Sequence, residues 1–126
     1  MRALGIDPGT RVTGWGVVES SGPLLRHLAS GTVVLGVTTT LPDRLARLHA
    51  ECLALIDTWA PSVVVLERAF VARNVQSAFR LGEARGAVLA AAGAATSVTS
   101  RAGRSASARA IPSASVSPGC IASACG

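Results

Sequence analysis

The stretch Gly5-Ile6-Asp7-Pro8-Gly9-Thr10 (residues 5–10, GIDPGT) decides how this chain is read. A short apolar run that includes Leu4 and Ile6 ends on a carboxylate, and two turn formers follow at once. Asp, Pro and Gly each favour turns for local reasons: the Asp side chain bonds nearby backbone, Pro presets φ, and Gly tolerates positive φ. That accounts for the turn, but not for a buried strand that ends on an acid. The alternative is that Asp7 is held at the lip of a sheet to bind a metal ion. The rest of the chain has to decide between the two.

Working outward, residues 2–7 read as a buried strand, 13–19 as a second, and 24–35 as a third with Gly31 as a candidate bulge. Loops this short favour antiparallel neighbours. The period then changes. Leu41, Leu45, Leu48, Cys52, Leu55 and Trp59 recur at steps of three and four, which is one apolar stripe on a helix. Thr40 with Asp43 three residues on forms a capping-box-like start. Pro42 sits in the first turn, where proline is tolerated, and Pro61 closes the helix. Residues 62–67, Ser-Val-Val-Val-Leu-Glu, are β-branched enough to predict a buried parallel strand.

A second helix runs from about Asn74 to Ala95. Val75, Phe79, Gly82, Gly86 and Leu89 share one side, and Ala78, Leu81, Val88 and Ala92 another. A helix apolar on two sides packs against two things. One is its own sheet. The other is a second copy of the chain, brought close at Gly82 and Gly86, or else a further layer of the same domain that a short chain hardly supplies. Beyond Thr96 the character breaks. Residues 96–126 are rich in Ser and Ala, carry Arg101, Arg104 and Arg109, and contain no acid, aromatic or Leu. Such a segment buries too little apolar surface to offset its chain entropy, so the expectation is a core over residues 1–95 and a disordered low-complexity tail over 96–126.

Composition narrows the function classes. At 126 residues the chain is one domain at most. Twelve arginines, no lysine and seven acids leave a net charge of +5, which suits a polyanion partner, although an ordinary solvated surface carries the same balance. No apolar run approaches the roughly 20 residues needed to span a bilayer, and the N-terminus lacks a signal-peptide pattern. Cys52, Cys120 and Cys125 have no zinc-like spacing, and a reducing cytoplasm is the simplest setting for them.

Glu67 is the second acid that ends an apolar strand. If strands 2–7 and 62–67 are parallel neighbours, Asp7 and Glu67 emerge side by side at the edge where open α/β sheets bind ligands. Two carboxylates about 4 Å apart repel by roughly 4 kcal/mol at an effective dielectric near 20. A divalent cation removes that repulsion. Mg²⁺ is the natural choice, being hard, oxygen-seeking and completed by water and phosphates, and Mn²⁺ is an alternative. A pair of such ions activates water and stabilises the leaving oxygen of a phosphodiester. Arg11, Arg68 and Arg73 fall in loops at the same edge and together form a cationic rim for phosphates; each alone is an ordinary solvated charge. Arg80 and Arg85 lie on the second helix, open either to DNA contact or, through Glu83, to pairing at a dimer face.

The segments GIDPGTRVTGWGVV (residues 5–18), LPDRLARLH (41–49) and VVVLERAFVARNVQSAFRLGEARGAVLAAA (63–92) closely resemble the RuvC family of Holliday-junction resolvases, in order and with matching gaps. The resemblance implies an α/β, RNase H-like mixed sheet flanked by helices. It also implies a homodimer, Mg²⁺-dependent paired nicking of four-way junction DNA in recombination and repair, and partnership with the RuvAB branch-migration motor. It places Asp7 and Glu67 as the family's first two catalytic, metal-binding acids. Phe70 matches an aromatic of the junction-contacting loop, where stacking on an unpaired base is worth about 1–3 kcal/mol. A sheet-edge core position is the bland reading of the same residue. Arg11, Arg68, Arg73 and Arg80 are the expected DNA contacts.

The chain also departs from that pattern. The family completes its metal site with an aspartate pair on a last helix, and here the final acid is Glu83. The expectations are therefore a sheet left incomplete after the second long helix, a C-terminally truncated or frame-shifted sequence, and poor or no cleavage by this chain. Two rival readings stand beside the nuclease. An ATP-binding domain of the actin/Hsp70 type has a similar first phosphate loop but needs a second glycine-rich motif and a longer chain. A non-catalytic junction-binding or dimerising remnant needs neither.

Overall fold

The computed structural model describes residues 1–67, 74–95 and 97–101. Strands β1 (Arg2–Asp7), β2 (Val12–Ser21) and β3 (Leu24–Val34) are followed by helix α1 (Leu41–Trp59), strand β4 (Val63–Glu67), helix α2 (Val75–Ala95) and strand β5 (Ser97–Arg101). The sheet runs in the order β3-β2-β1-β4-β5. β1, β2 and β3 form an antiparallel meander, while β4 lies parallel to β1 and β5 parallel to β4. The parallel pairs follow from the chain: each needs a crossover, and α1 and α2 supply them.

Strand alternation sorts the residues by face. Leu4 and Ile6 of β1, Val17 of β2, Val33 of β3, and Val64 and Leu66 of β4 are buried. They share one cluster with Leu48, Cys52 and Ile56 of α1 and Ala84, Val88, Ala91 and Ala92 of α2. Both helices therefore cover the same face of the sheet. The predicted α1 stripe is centred correctly, with Leu45, Leu55 and Trp59 packed at its margins. The α2 side carrying Val88 and Ala92 turns inward, and the side carrying Val75 and Phe79 is left exposed at 69% for each.

The ends of α1 follow from local chemistry. Thr40 caps the N-terminus: its hydroxyl accepts from the Asp43 amide at 3.3 Å and donates to Asp43 Oδ2 at 2.6 Å. At the other end Ala60 adopts a left-handed conformation (φ 43°) and its amide donates to the Ile56 carbonyl at 2.8 Å, before Pro61 stops the helix. No helix among the described residues is long and apolar enough to cross a membrane.

Two expectations are corrected. The register irregularity of the β2–β3 pair falls between Val17 and Val18, not at Gly31. Gly31 pairs with Trp15, and a Cβ there would stand 3.0 Å from Trp15 Cζ2, so the glycine makes room for the indole ring. The sheet also does not stop at β4. Ser97–Arg101 pairs with it from Val63↔Ser97 to Glu67↔Arg101, past the boundary expected at residue 95. Main-chain pairing asks little of the side chains. The β-branched Val98 and Thr99 suffice locally, although the Ser- and Ala-rich average of the whole segment hides them. The remainder of the expected tail, residues 102–126, lies outside the described residues.

Candidate active site at the carboxyl ends of β1 and β4

The pairing of β1 with β4 fixes the site. Ala3↔Val63, Leu4↔Val64, Gly5↔Val65 and Ile6↔Leu66 are in register, so Asp7 and Glu67 are the next residues on two adjacent parallel strands. Adjacent strands lie about 4.8 Å apart. Leu4, Ile6, Val64 and Leu66 point into the core, so Asp7 and Glu67 both point to the opposite, helix-free side of the described sheet. There they line one open cleft of about 530 Å³ together with Gly5, Gly14, Gly16 and Val65. The floor is made shallow by glycine: Gly14 pairs with Asp7, and a Cβ on it would lie 3.9 Å from that of Asp7.

Both carboxylates are exposed, and among the described residues neither takes part in a hydrogen bond or an ion pair. No third His, Cys, Asp or Glu joins them among the described residues. Two unpartnered hard oxygen donors on an open cleft fit a divalent cation that keeps most of its water. They do not form an enclosed cage.

The turn after Asp7 is tied down on several sides. Thr13, 1% exposed, accepts from the Gly9 amide at 3.1 Å and donates to the Gly9 carbonyl at 3.0 Å. A Cβ on Gly9 would come within 2.3 Å of the Val12 carbonyl oxygen, so only glycine closes the turn. Leu35 donates its amide to the Arg11 carbonyl at 2.8 Å. Arg44 of α1 donates from Nη1 to the Thr10 carbonyl at 3.1 Å. On the β4 side, Arg85 of α2 donates from Nη1 to the Glu67 carbonyl.

Of the positions read from sequence, the structure brings Asp7 and Glu67 together and leaves Arg11 exposed in the turn beside Asp7. Arg80 is exposed on the first turns of α2 and does not line the cleft. Arg68, Phe70 and Arg73 lie outside the described residues. Thr13, Arg44 and Arg85 as supports of the site were missed. Thr13 offered a weak signal as a lone hydroxyl four residues past a turn glycine. The two arginines offered none that names their acceptors.

A mixed sheet of this order, with the central β1 and β4 ending in acids on one side, is the RNase H-like architecture. The comparisons narrow the class. The family model for the crossover junction endodeoxyribonuclease RuvC matches residues 3–112, and the chain belongs to the RuvC family. RuvC of Alkalilimnicola ehrlichii is 51% identical over 90 residues, which cover 71% of this chain and 54% of that protein. RuvC of Rhodospirillum rubrum is 45% identical over 91 residues, covering 72% and 54%. Among solved structures, Thermus thermophilus RuvC in complex with a Holliday junction substrate superposes with a TM-score of 0.75 at 34% identity, covering 80% of this chain and 65% of that one. The yeast mitochondrial resolvase Ydc2 shares the fold, with a TM-score of 0.58 at 16% identity over 78% of this chain and 51% of that one. The chain spans about half the length of the curated relatives it matches.

Proposed function

We propose that this chain recognises four-way junction DNA as a homodimer and holds Mg²⁺, or Mn²⁺ in its place, between Asp7 and Glu67 at the phosphodiester to be cut. The observation that carries the reading is the in-register placement of those two acids in one open cleft. When bound, the dication lowers the pKa of a water and neutralises charge on the phosphate. The chain's own residues do the rest. Asp7 and Glu67 orient the hydrated ion, and Arg11 offers its guanidinium to a phosphate beside it. The roles assigned to the remaining positions are phosphate contact for Arg68, Arg73 and Arg80, and stacking on an unpaired base for Phe70.

The exposed side of α2 supports the dimer. Val75 and Phe79 are each 69% exposed and Leu89 40%, while among the described residues nothing lies within 4 Å of a Cβ on Gly82 or Gly86. A second α2 packed there buries this apolar surface, with the glycines permitting close approach. The branch-migration motor RuvAB is the partner that the family reading implies, and the cytoplasm is the setting.

Two acids hold one hydrated ion weakly and position an attacking water poorly, so we place this 126-residue chain as a junction binder with slow or no cleavage. The test is a labelled four-way junction mixed with the chain, with D7N and E67Q variants, in Mg²⁺ and in Mn²⁺. Gel-shift affinity for the junction well above that for linear duplex, with little nicking, is the expected result. Equal affinity for duplex and junction refutes junction recognition. Paired nicking at relatives' rates refutes the deficiency, and nicking unaffected by D7N refutes the site.

A further inference from the structure

The two helices reach the site from behind the sheet, each through one guanidinium. Arg44 of α1 donates to the carbonyl of Thr10, three residues past Asp7, across a chain separation of 34 residues. Arg85 of α2 donates to the carbonyl of Glu67 itself, across 18 residues. These bonds stand at the strand ends, where the direct β1–β4 pairing stops at Ile6↔Leu66 and each acid is laddered on its outer side alone, Asp7 to Gly14 of β2 and Glu67 to Arg101 of β5. Both arginines are half-buried, whereas Arg11, Arg47 and Arg80 are exposed. Neither is ion-paired with an acid among the described residues. Arg44 also leaves its buried Nε without a partner. An orphaned buried donor is unfavourable, and an apolar side chain would pack there without it. The contact to the loop is what distinguishes the arginine.

We propose that Arg44 and Arg85 are positioning residues that fix the spacing and direction of the Asp7 and Glu67 carboxylates, and so make the pair selective for a small dication. The proposal rests on the reading of that pair as a metal site. Mg²⁺ requires near-ideal octahedral contacts at about 2.0–2.1 Å, while Ca²⁺ accepts irregular ones at about 2.3–2.6 Å. A loosened pair therefore loses Mg²⁺ far more than Ca²⁺. Neither arginine needs to touch the ion.

The experiment uses the full chain, with Mg²⁺ and Ca²⁺ each displacing Mn²⁺, followed by electron paramagnetic resonance. The variants are D7N, Arg44→Gln, Arg85→Gln and the two Arg→Lys substitutions, each corrected for folded fraction by circular dichroism. Arg44→Gln and Arg85→Gln are expected to weaken Mg²⁺ roughly 10-fold, in line with other partners that orient metal ligands, and Ca²⁺ less than about 2-fold. The Lys variants, which keep one donor, recover part of the difference and stand in for a Gln variant that does not fold. A metal-free readout accompanies this for α1: the Leu35 amide, held by the Arg11 carbonyl, exchanges faster in Arg44→Gln. Equal loss of both ions, or an unchanged Mg²⁺-to-Ca²⁺ ratio, overturns the proposal. An unchanged Leu35 exchange rate overturns it for Arg44. If D7N binds both ions as the parent does, the metal reading of the pair is what fails, and the exchange rate still judges the Arg44 contact by itself.

Discussion

Replacing Thr13 with Val separates the hydrogen bonding of the Asp7 turn from its packing. Thr13 is buried at 1% exposure, and its hydroxyl both accepts from the Gly9 amide and donates to the Gly9 carbonyl. Val keeps the volume and removes both bonds. A net intramolecular hydrogen bond is worth about 1 kcal/mol, and a buried donor left without a partner costs about 1–3 kcal/mol, so Thr13→Val is expected to destabilise by roughly 2–3 kcal/mol. Thr13→Ser is the control. It keeps both bonds and loses one methyl group, for about 0.8 kcal/mol of transfer energy plus a small void. Urea unfolding gives both values from the midpoints at constant slope. In a domain near 100 residues, the Val variant should melt about 8–20 °C lower. Native-state hydrogen exchange should show the loss concentrated at the Gly9 amide. If Val is tolerated as well as or better than Ser, or if Gly9 exchange is unchanged, the hydroxyl does not organise the turn and the argument for a preorganised Asp7 fails.

Three further perturbations follow from the same structure. Ala60→Gly relieves the left-handed C-cap of α1 (φ 43°) and should raise stability by about 0.5–1 kcal/mol in a urea melt, the gain being partly offset by the freer unfolded chain. Phe79→Glu places a charge at a position 69% exposed in the single chain, so it should leave the monomer's melting unchanged and abolish dimers in sedimentation equilibrium; a stable dimer in this variant excludes α2 as the interface. Burial, and then the neighbouring Glu51 carboxylate, push the Cys52 thiol from 9.0 up to about 11. The fold thus holds the thiol proton more tightly than the unfolded chain does, and stability is full below pH 9 and falls between pH 9 and about 11 as the unfolded thiol ionises first. Cys52→Ala should flatten that limb of the pH–stability curve, and the native thiol should resist alkylation near pH 8.

What the sequence disclosed and what it hid divide by the range of the interaction. The alternation of Leu4 and Ile6 against Asp7, and of Val64 and Leu66 against Glu67, is local. It needs only the two-residue period and one assumption, that β1 and β4 are parallel neighbours, to put both acids on one side of the sheet. The α1 stripe is local in the same sense, although Ile56 takes a central place that the spacing gave to Leu55. β5 was hidden differently: its five residues were averaged into a segment whose composition argues against structure, while parallel pairing with β4 draws on main-chain groups that every residue carries. The arginine contacts are hidden for the same reason taken further. Their acceptors are the carbonyls of Thr10 and Glu67, 34 and 18 residues away, and a carbonyl has no residue-type signature. A carboxylate partner leaves a charge pattern that can be searched, but a backbone partner leaves none. An active site of this kind is thus legible in its donors and silent in its supports, and the supports decide how closely the donors are held. In the proposed metal site, where the described residues offer an ion two carboxylates and no third acidic, His or Cys ligand, the metal affinity would be set by the precision of that pair.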